Sequence, residues 1–115
     1  MKILHILIVE DEALVALDLE SMIREIVEAD VVIEATIAGT KKTLLKDLDF
    51  AFLDVDVTNG KTFEIAQILE RKNVPFVFVS ASAQAELPAA LRSSPFISKP
   101  FFPAEIEHAL EALTE

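Results

Sequence analysis

The chain has no cysteine. That excludes disulfides, a thiolate zinc site and a thiol nucleophile, and it fits a reducing compartment such as the cytoplasm. Also missing is any stretch near the roughly 20 apolar residues needed to span a bilayer. The opening MKILHILIVEDE carries one lysine before an apolar run, as a signal peptide does. The run is about strand length, ends in three acids and has no small-residue cleavage site, so it reads as a strand and not as a leader. Positive charge is scarce, with Lys+Arg 10 against Asp+Glu 20 and a formal net charge of -10. Nucleic-acid phosphates need Lys and Arg to neutralise them, so this balance argues against direct binding to nucleic acid. It favours solubility and an affinity for cations or basic partner surfaces. The sequence shows no internal repeat, linker or low-complexity segment.

What is present is a strongly apolar chain of 115 residues, 52% hydrophobic. That suffices for one core, so a single domain over 1–115 is expected. Ile3 to Val9 is nearly continuous and rich in β-branched residues, the pattern of a strand buried on both faces. Val15, Leu19, Met22, Ile23 and Ile26 then recur at helical spacing among acids, which makes an amphipathic helix. Val31 to Ile37 reads as a second strand and Gly39 as a turn. Thr40 to Leu48 reads as a short helix, with Leu44, Leu45 and Leu48 set against Lys41, Lys42 and Lys46.

The third strand, Phe50 to Leu53, runs into Asp54 and the turn-forming Thr58, Asn59 and Gly60. Thr62 to Lys72 is helical, Pro75 to Val79 is a fourth strand and Phe96 to Ser98 a fifth. Between the last two, a short helix is expected around Ala89 to Arg92. Pro103 suits the first turn of a last helix, with Ile106, Leu110 and Leu113 inward. Strands alternating with helices predict an α/β fold, a doubly wound parallel sheet of the flavodoxin-like (βα)5 kind with strand order 2-1-3-4-5.

Polar side chains stand directly after four of these strands: Glu10-Asp11, Asp54, Ser80 and Lys99. All strand C-termini of a parallel sheet share one edge, and the order 2-1-3-4-5 puts the first and third strands side by side. Asp11 then lies near Asp54. Carboxylates gathered there without His or Cys suit a hard cation such as Mg²⁺. Ser80 and Lys99 add a hydroxyl and a fixed positive charge, so a carboxylate between two cations is placed to accept a phosphoryl group. Each residue also has a plainer reading: Asp54 as a turn cap, Glu10 to Glu12 as acids at a helix start, Ser80 as a cap, Lys99 as a surface lysine.

The set VEDE, LDVD, VSAS and SKPF resembles the receiver domain of two-component response regulators, in the family's order and over essentially the whole chain. The resemblance implies Asp54 as phosphoacceptor, supplied by a phosphohistidine on a sensor histidine kinase or a histidine phosphotransfer protein. It implies Asp11 as a direct Mg²⁺ ligand, Glu10 acting through water, and Asp54 with the backbone carbonyl of Asp56 completing the protein ligands. Ser80 matches the switch hydroxyl, Lys99 the phosphate-binding lysine and Phe96 the aromatic that turns inward with Ser80. Asp56 and Ser82 match the positions that tune hydrolysis of the aspartyl phosphate. On this reading the chain is a stand-alone signalling domain and not an enzyme, with no output domain. Its downstream target is then a protein, with a homodimer also open.

The sequence departs from the family pattern in two places. Thr58 stands where receivers usually carry Pro, and Gly60 comes two residues early, so a shorter loop is expected. The segment from Ser80 to Lys99 is also a few residues short, in a region that forms the family's signalling face. Two enzyme readings compete. DVDVT fits the Asp-x-Asp-x-Thr motif of haloacid-dehalogenase-type phosphatases, with Asp54 as nucleophile and Asp56 as acid-base. Glu10 with Asp54 and Asp56 resembles Toprim domains. A receiver fold acting as an unphosphorylated adaptor is the third alternative. His5 reads as a core histidine, His108 as solvated, and Lys41, Lys42 and Lys46 as one wet helix face.

Overall fold

The computed structural model describes residues 2–111; Leu113, expected on the last helix's buried stripe, lies outside them. Four α-helices form: α1 (Ala13–Ile26), α2 (Ile37–Thr43), α3 (Phe63–Arg71) and α4 (Pro103–Glu111). The strands are β1 (Leu4–Val9), β2 (Ala29–Glu34), β3 (Phe50–Leu53), β4 (Asp56–Val57), β5 (Gly60–Lys61), β6 (Phe76–Ser80) and β7 (Phe96–Ser98). Five of them make one parallel sheet in the order β2-β1-β3-β6-β7, which is the predicted 2-1-3-4-5 once the small β4–β5 hairpin is set aside.

Strand side chains alternate between two cores. Leu7 and Val9, Ala51 and Leu53, and Phe76 and Phe78 face the layer of Ile65, Ala66 and Leu69 from α3, closed further by Leu87 and Leu91. Ile6 and Ile8, Phe50 and Phe52, and Val77 and Val79 face Leu19 and Ile23 of α1 and Ile106 and Leu110 of α4. Both faces of β1, β3 and β6 are covered, which is why these strands read as continuous apolar runs.

Five local expectations are corrected. β2 ends at Glu34 and α2 begins at Ile37, earlier than expected, because the Thr36 hydroxyl caps the helix by accepting the Gly39 N–H at 3.0 Å. Gly39 therefore sits inside a helix and not in a turn. A Cβ there would meet Glu34 Oε1 at 2.6 Å, a carboxylate whose other oxygen is held by the Thr43 hydroxyl at 2.6 Å, so the position stays empty for packing. Leu45, expected inward, follows the end of this shorter helix and is 87% exposed. Between β6 and β7 there is no α-helix, only two 3₁₀ turns, Gln84–Glu86 and Ala89–Leu91; Leu87-Pro88 divides the stretch, and the residue before a proline is kept out of the helical region. His5 is 53% exposed and lies 3.8 Å from Asp30, so it is no core histidine.

Candidate functional site

Parallel pairing brings the acids together. The Asp54 N–H donates to the Val9 carbonyl at 2.9 Å, and the Glu10 N–H to the Glu34 carbonyl at 3.0 Å, extending β3 and β1 by one residue each. Glu10 and Asp54 thus leave adjacent strands at the same edge, with Asp11 one residue on. Oxygens of Glu10, Asp11 and Asp54 all lie within 4.8 Å of one another. Glu10 is buried, Asp11 is exposed, and Asp54 is 9% exposed at the base of the cluster.

The fourth group arrives from β7. The Lys99 N–H donates to the Ser80 carbonyl at 2.9 Å, which fixes the backbone of Lys99 beside the end of β6. Its ammonium then reaches across β6 to donate to Glu10 Oε1 at 2.6 Å and Asp54 Oδ2 at 3.0 Å. Oδ1 of Asp54 accepts the Val55 N–H at 2.7 Å, and Oε2 of Glu10 accepts the Glu12 N–H at 3.1 Å. Burial pushes the Glu10 carboxyl above its ordinary range, more than the Lys99 and Glu12 hydrogen bonds pull it down, and the Asp54 charge pushes the same way. Burial lowers the Lys99 ammonium, but the hydrogen bonds to Glu10 and Asp54 outweigh it and the net direction is upward. Lys99 is held as a cation.

Ser80 is buried at the end of β6, and its Oγ accepts the Ser82 N–H at 3.1 Å. Phe96 is half-buried against the α3-side core, its ring 6.4 Å from that of Phe78. The segment after Asp54, expected as a short loop, is the β4–β5 hairpin, with Asp56 paired to Lys61 and Val57 to Gly60. Asn59 at φ 74° and Gly60 at φ 151° supply its tight reversal, conformations that suit asparagine and glycine.

The hairpin lies against the site: the Thr58 hydroxyl donates to Asp11 Oδ2 at 3.3 Å. Asp56 is ion-paired with Lys61, and the Ser82 hydroxyl donates to Asp56 Oδ2 at 3.4 Å. Sequence reasoning placed Glu10, Asp11, Asp54 and Lys99 together, and they are together. It missed Thr62, Thr58 and Lys61. Thr62 is fully buried, donates its hydroxyl to the Asp54 carbonyl and its N–H to the Val55 carbonyl at 3.0 Å. Its place just before α3 was the only signal.

The donor set tests the expected cation. Three carboxylates within 4.8 Å, with no nitrogen or sulfur ligand, fit a hard divalent ion such as Mg²⁺. Lys99 neutralises part of their repulsion from one side, and the exposed Asp11 leaves the other open.

No protein-family model matches the chain. It is 33% identical over 113 residues to the sensory transduction protein LytT of Bacillus anthracis, covering 94% of this chain and 46% of that protein. The chain thus spans about half the length of this curated relative. Among solved structures it is similar to SdrG from Sphingomonas melonis Fr1, 32% identical with 100% of both chains covered and a TM-score of 0.83. The BeF3-activated conformation of SdrG from Pseudomonas melonis Fr1 has the same identity and coverage and a TM-score of 0.78. The fold also matches a response regulator receiver domain protein (CheY-like) from Methanospirillum hungatei JF-1, with a TM-score of 0.81 at 21% identity over 98% of this chain and 95% of that one. These likenesses run the length of the sheet whose edge holds Glu10, Asp54 and Lys99, and the chain belongs to the CheY-like receiver-domain family of response regulators.

Proposed function

We propose that this chain is the receiver domain of a cytoplasmic response regulator and accepts a phosphoryl group on Asp54 with the help of Mg²⁺. The donor is a phosphohistidine on a sensor histidine kinase or a histidine phosphotransfer protein. One observation carries the reading: Glu10, Asp11 and Asp54 offer oxygens within 4.8 Å of one another while Lys99 is hydrogen-bonded to both Glu10 and Asp54. That is a nucleophilic carboxylate between an acidic cation pocket and a fixed ammonium. Membership in the receiver family supports the same assignment.

Asp11, Glu10, Asp54 and the backbone carbonyl of Asp56 would hold the ion, Glu10 through water. When bound, it offsets negative charge on the carboxylates and on the incoming phosphoryl oxygens. Asp54 attacks in line: its Oδ–P bond forms as the donor's P–N bond breaks, and the departing imidazole recovers a proton. Lys99 supplies positive charge that needs no rearrangement as charge shifts in the transition state. Once Asp54 is modified, the Ser80 hydroxyl leaves the Ser82 N–H for a phosphoryl oxygen and Phe96 moves inward. That shifts a pre-existing equilibrium between two surfaces, read by a protein target. Asp56 and Ser82 tune hydrolysis of the acyl phosphate.

The test is intact mass after incubation with acetyl phosphate, with and without Mg²⁺, on wild type and Asp54→Asn. One Mg²⁺-dependent phosphoryl adduct on wild type, absent from the variant, is expected. Folded wild type that takes up neither phosphoryl nor beryllofluoride would overturn the reading and leave a phosphorylation-independent adaptor. Steady turnover of small phosphomonoesters would instead favour a phosphatase.

A further inference from the structure

The three carboxylates of the site are not held alike. Glu10 accepts the Lys99 ammonium at 2.6 Å and the Glu12 N–H at 3.1 Å. Asp54 accepts the same ammonium at 3.0 Å and the Val55 N–H at 2.7 Å. Asp11 is exposed, and among the described residues its carboxylate has one hydrogen-bond partner, the Thr58 hydroxyl at 3.3 Å from Oδ2. Oxygens of Glu10 and Asp54 lie within 4.8 Å of one of its own. Repulsion at that range drives a loosely held carboxylate out toward water. The Thr58 hydroxyl opposes that drift at Oδ2 and leaves Oδ1 free to ligate a cation.

Thr58 can restrain a neighbour because its own backbone is fixed from two sides. Within the hairpin Val57 pairs with Gly60, and the reversal at Asn59 and Gly60 follows directly after Thr58. On the other side a parallel bridge joins Thr58 to Thr36. Thr36 is anchored in turn at the start of α2, where its carbonyl accepts the Thr40 N–H at 3.0 Å and the Thr40 hydroxyl at 2.7 Å. The hairpin thus presents a donor in a fixed place. Proline, the residue of the family pattern at this point, has no hydroxyl to offer.

We propose that Thr58 is a positioning residue for the cation: its hydroxyl holds the Asp11 carboxylate toward Glu10 and Asp54, so that the ligand set is assembled before Mg²⁺ arrives. Thr58 has this role only if Asp54 is the Mg²⁺-dependent phosphoacceptor proposed above. Partners that orient metal ligands typically set affinity by about 10- to 100-fold, and a long bond between two exposed groups belongs at the lower end of that range.

The test is a calorimetric Mg²⁺ titration of the whole protein as wild type, Thr58→Val and Thr58→Ser. It is paired with the rate of adduct formation from acetyl phosphate over a range of Mg²⁺ concentrations. Valine keeps the branched shape and loses only the hydroxyl at an exposed position, so folding should be unchanged. Thr58→Val should bind Mg²⁺ about tenfold more weakly, while Thr58→Ser stays close to wild type. The Mg²⁺ concentration that half-saturates adduct formation should rise in the same proportion with the plateau rate kept, the mark of lost binding and not of lost chemistry. Equal Mg²⁺ affinity in wild type and Thr58→Val would overturn this role and leave the phosphoacceptor reading standing. So would a loss in Thr58→Ser as large as in Thr58→Val, or a lowered plateau without a shift in half-saturation, since either makes residue 58 only a structural part of the hairpin. Wild type that binds no Mg²⁺ at all would overturn the phosphoacceptor reading itself, and the role of Thr58 with it.

Discussion

The ammonium of Lys99 sits 3.0 Å from Oδ2 of Asp54, a residue 45 positions earlier in the chain. The contact exists because β6 lies between β3 and β7 and the lysine, anchored by its N–H to Ser80, extends over the end of that intervening strand. It makes the charge state of the site depend on two distant turns at once.

Replacing Lys99 with Met should separate cation binding from phosphoryl transfer. Without the ammonium, three carboxylates face one another uncompensated and its repulsion of a cation is gone, so Mg²⁺ affinity should rise, by about tenfold. Phosphoryl uptake from acetyl phosphate should fall by about a hundredfold, the loss typical of one preorganised electrostatic group. Calorimetric Mg²⁺ titration and the rate of adduct formation by mass read the two effects. A parallel fall in both would mean that Lys99 only holds the site together.

Thr62→Val should cost about 1–3 kcal/mol in denaturant unfolding, because it keeps the shape but leaves a buried carbonyl without its hydroxyl donor. The affected carbonyl belongs to Asp54, so the variant should also slow adduct formation. An unchanged midpoint would show that Val55 and Asp54 are satisfied by other means.

Asp49 sets an acid limit on the fold. Its carboxylate accepts the His5 N–H at 2.8 Å and the Lys2 ammonium at 3.1 Å, and the backbone hydrogen bond is the main cause that holds its carboxyl below the ordinary aspartate value. A carboxyl with a lowered folded pKa stabilises the fold above its unfolded pKa, and that stability drains away as pH falls through the folded value. Wild type should therefore lose stability below about pH 4, with Asp49→Asn less stable at pH 7 by about 1 kcal/mol and showing a flatter acid limb. Thermal melts from pH 7 to pH 3 measure it, and identical acid limbs would remove Asp49 from the account.

Asp56, to which the proposed function gives a part in tuning hydrolysis, is ion-paired with Lys61 beside the site. Lys61→Met bares the Asp56 carboxylate, whereas Asp56→Asn removes its charge. The two variants should move the lifetime of the aspartyl phosphate in opposite directions, followed by loss of the adduct mass after donor removal. Equal lifetimes in wild type and both variants would leave Asp56 with a purely structural role in the hairpin.

The layout of the fold and the gathering of Glu10, Asp11, Asp54 and Lys99 at one sheet edge were legible in the sequence, because each rests on a local signal. Buried strands of a parallel sheet must be apolar on both faces, so β1, β3 and β6 announce themselves, and the polar residue that ends each run marks the sheet edge. Glu10, Asp54, Ser80 and Lys99 could be named for that reason. What the chain could not announce depended on contacts that no residue pattern displays. The Thr36 cap and the Glu34–Thr43 bond decided that Gly39 would lie in a helix and Leu45 in solvent. The hairpin after Asp54 follows from pairing Asp56 with Lys61 and Val57 with Gly60, with two residues between that no strand pattern reveals. The 3₁₀ turns between β6 and β7 form because Leu87-Pro88 divides the stretch while Leu87 and Leu91 both reach the α3-side core. Residue types thus determined which groups stand at the edge of the sheet. Only tertiary packing decided which way those groups point, what each is bonded to, and which surfaces remain open.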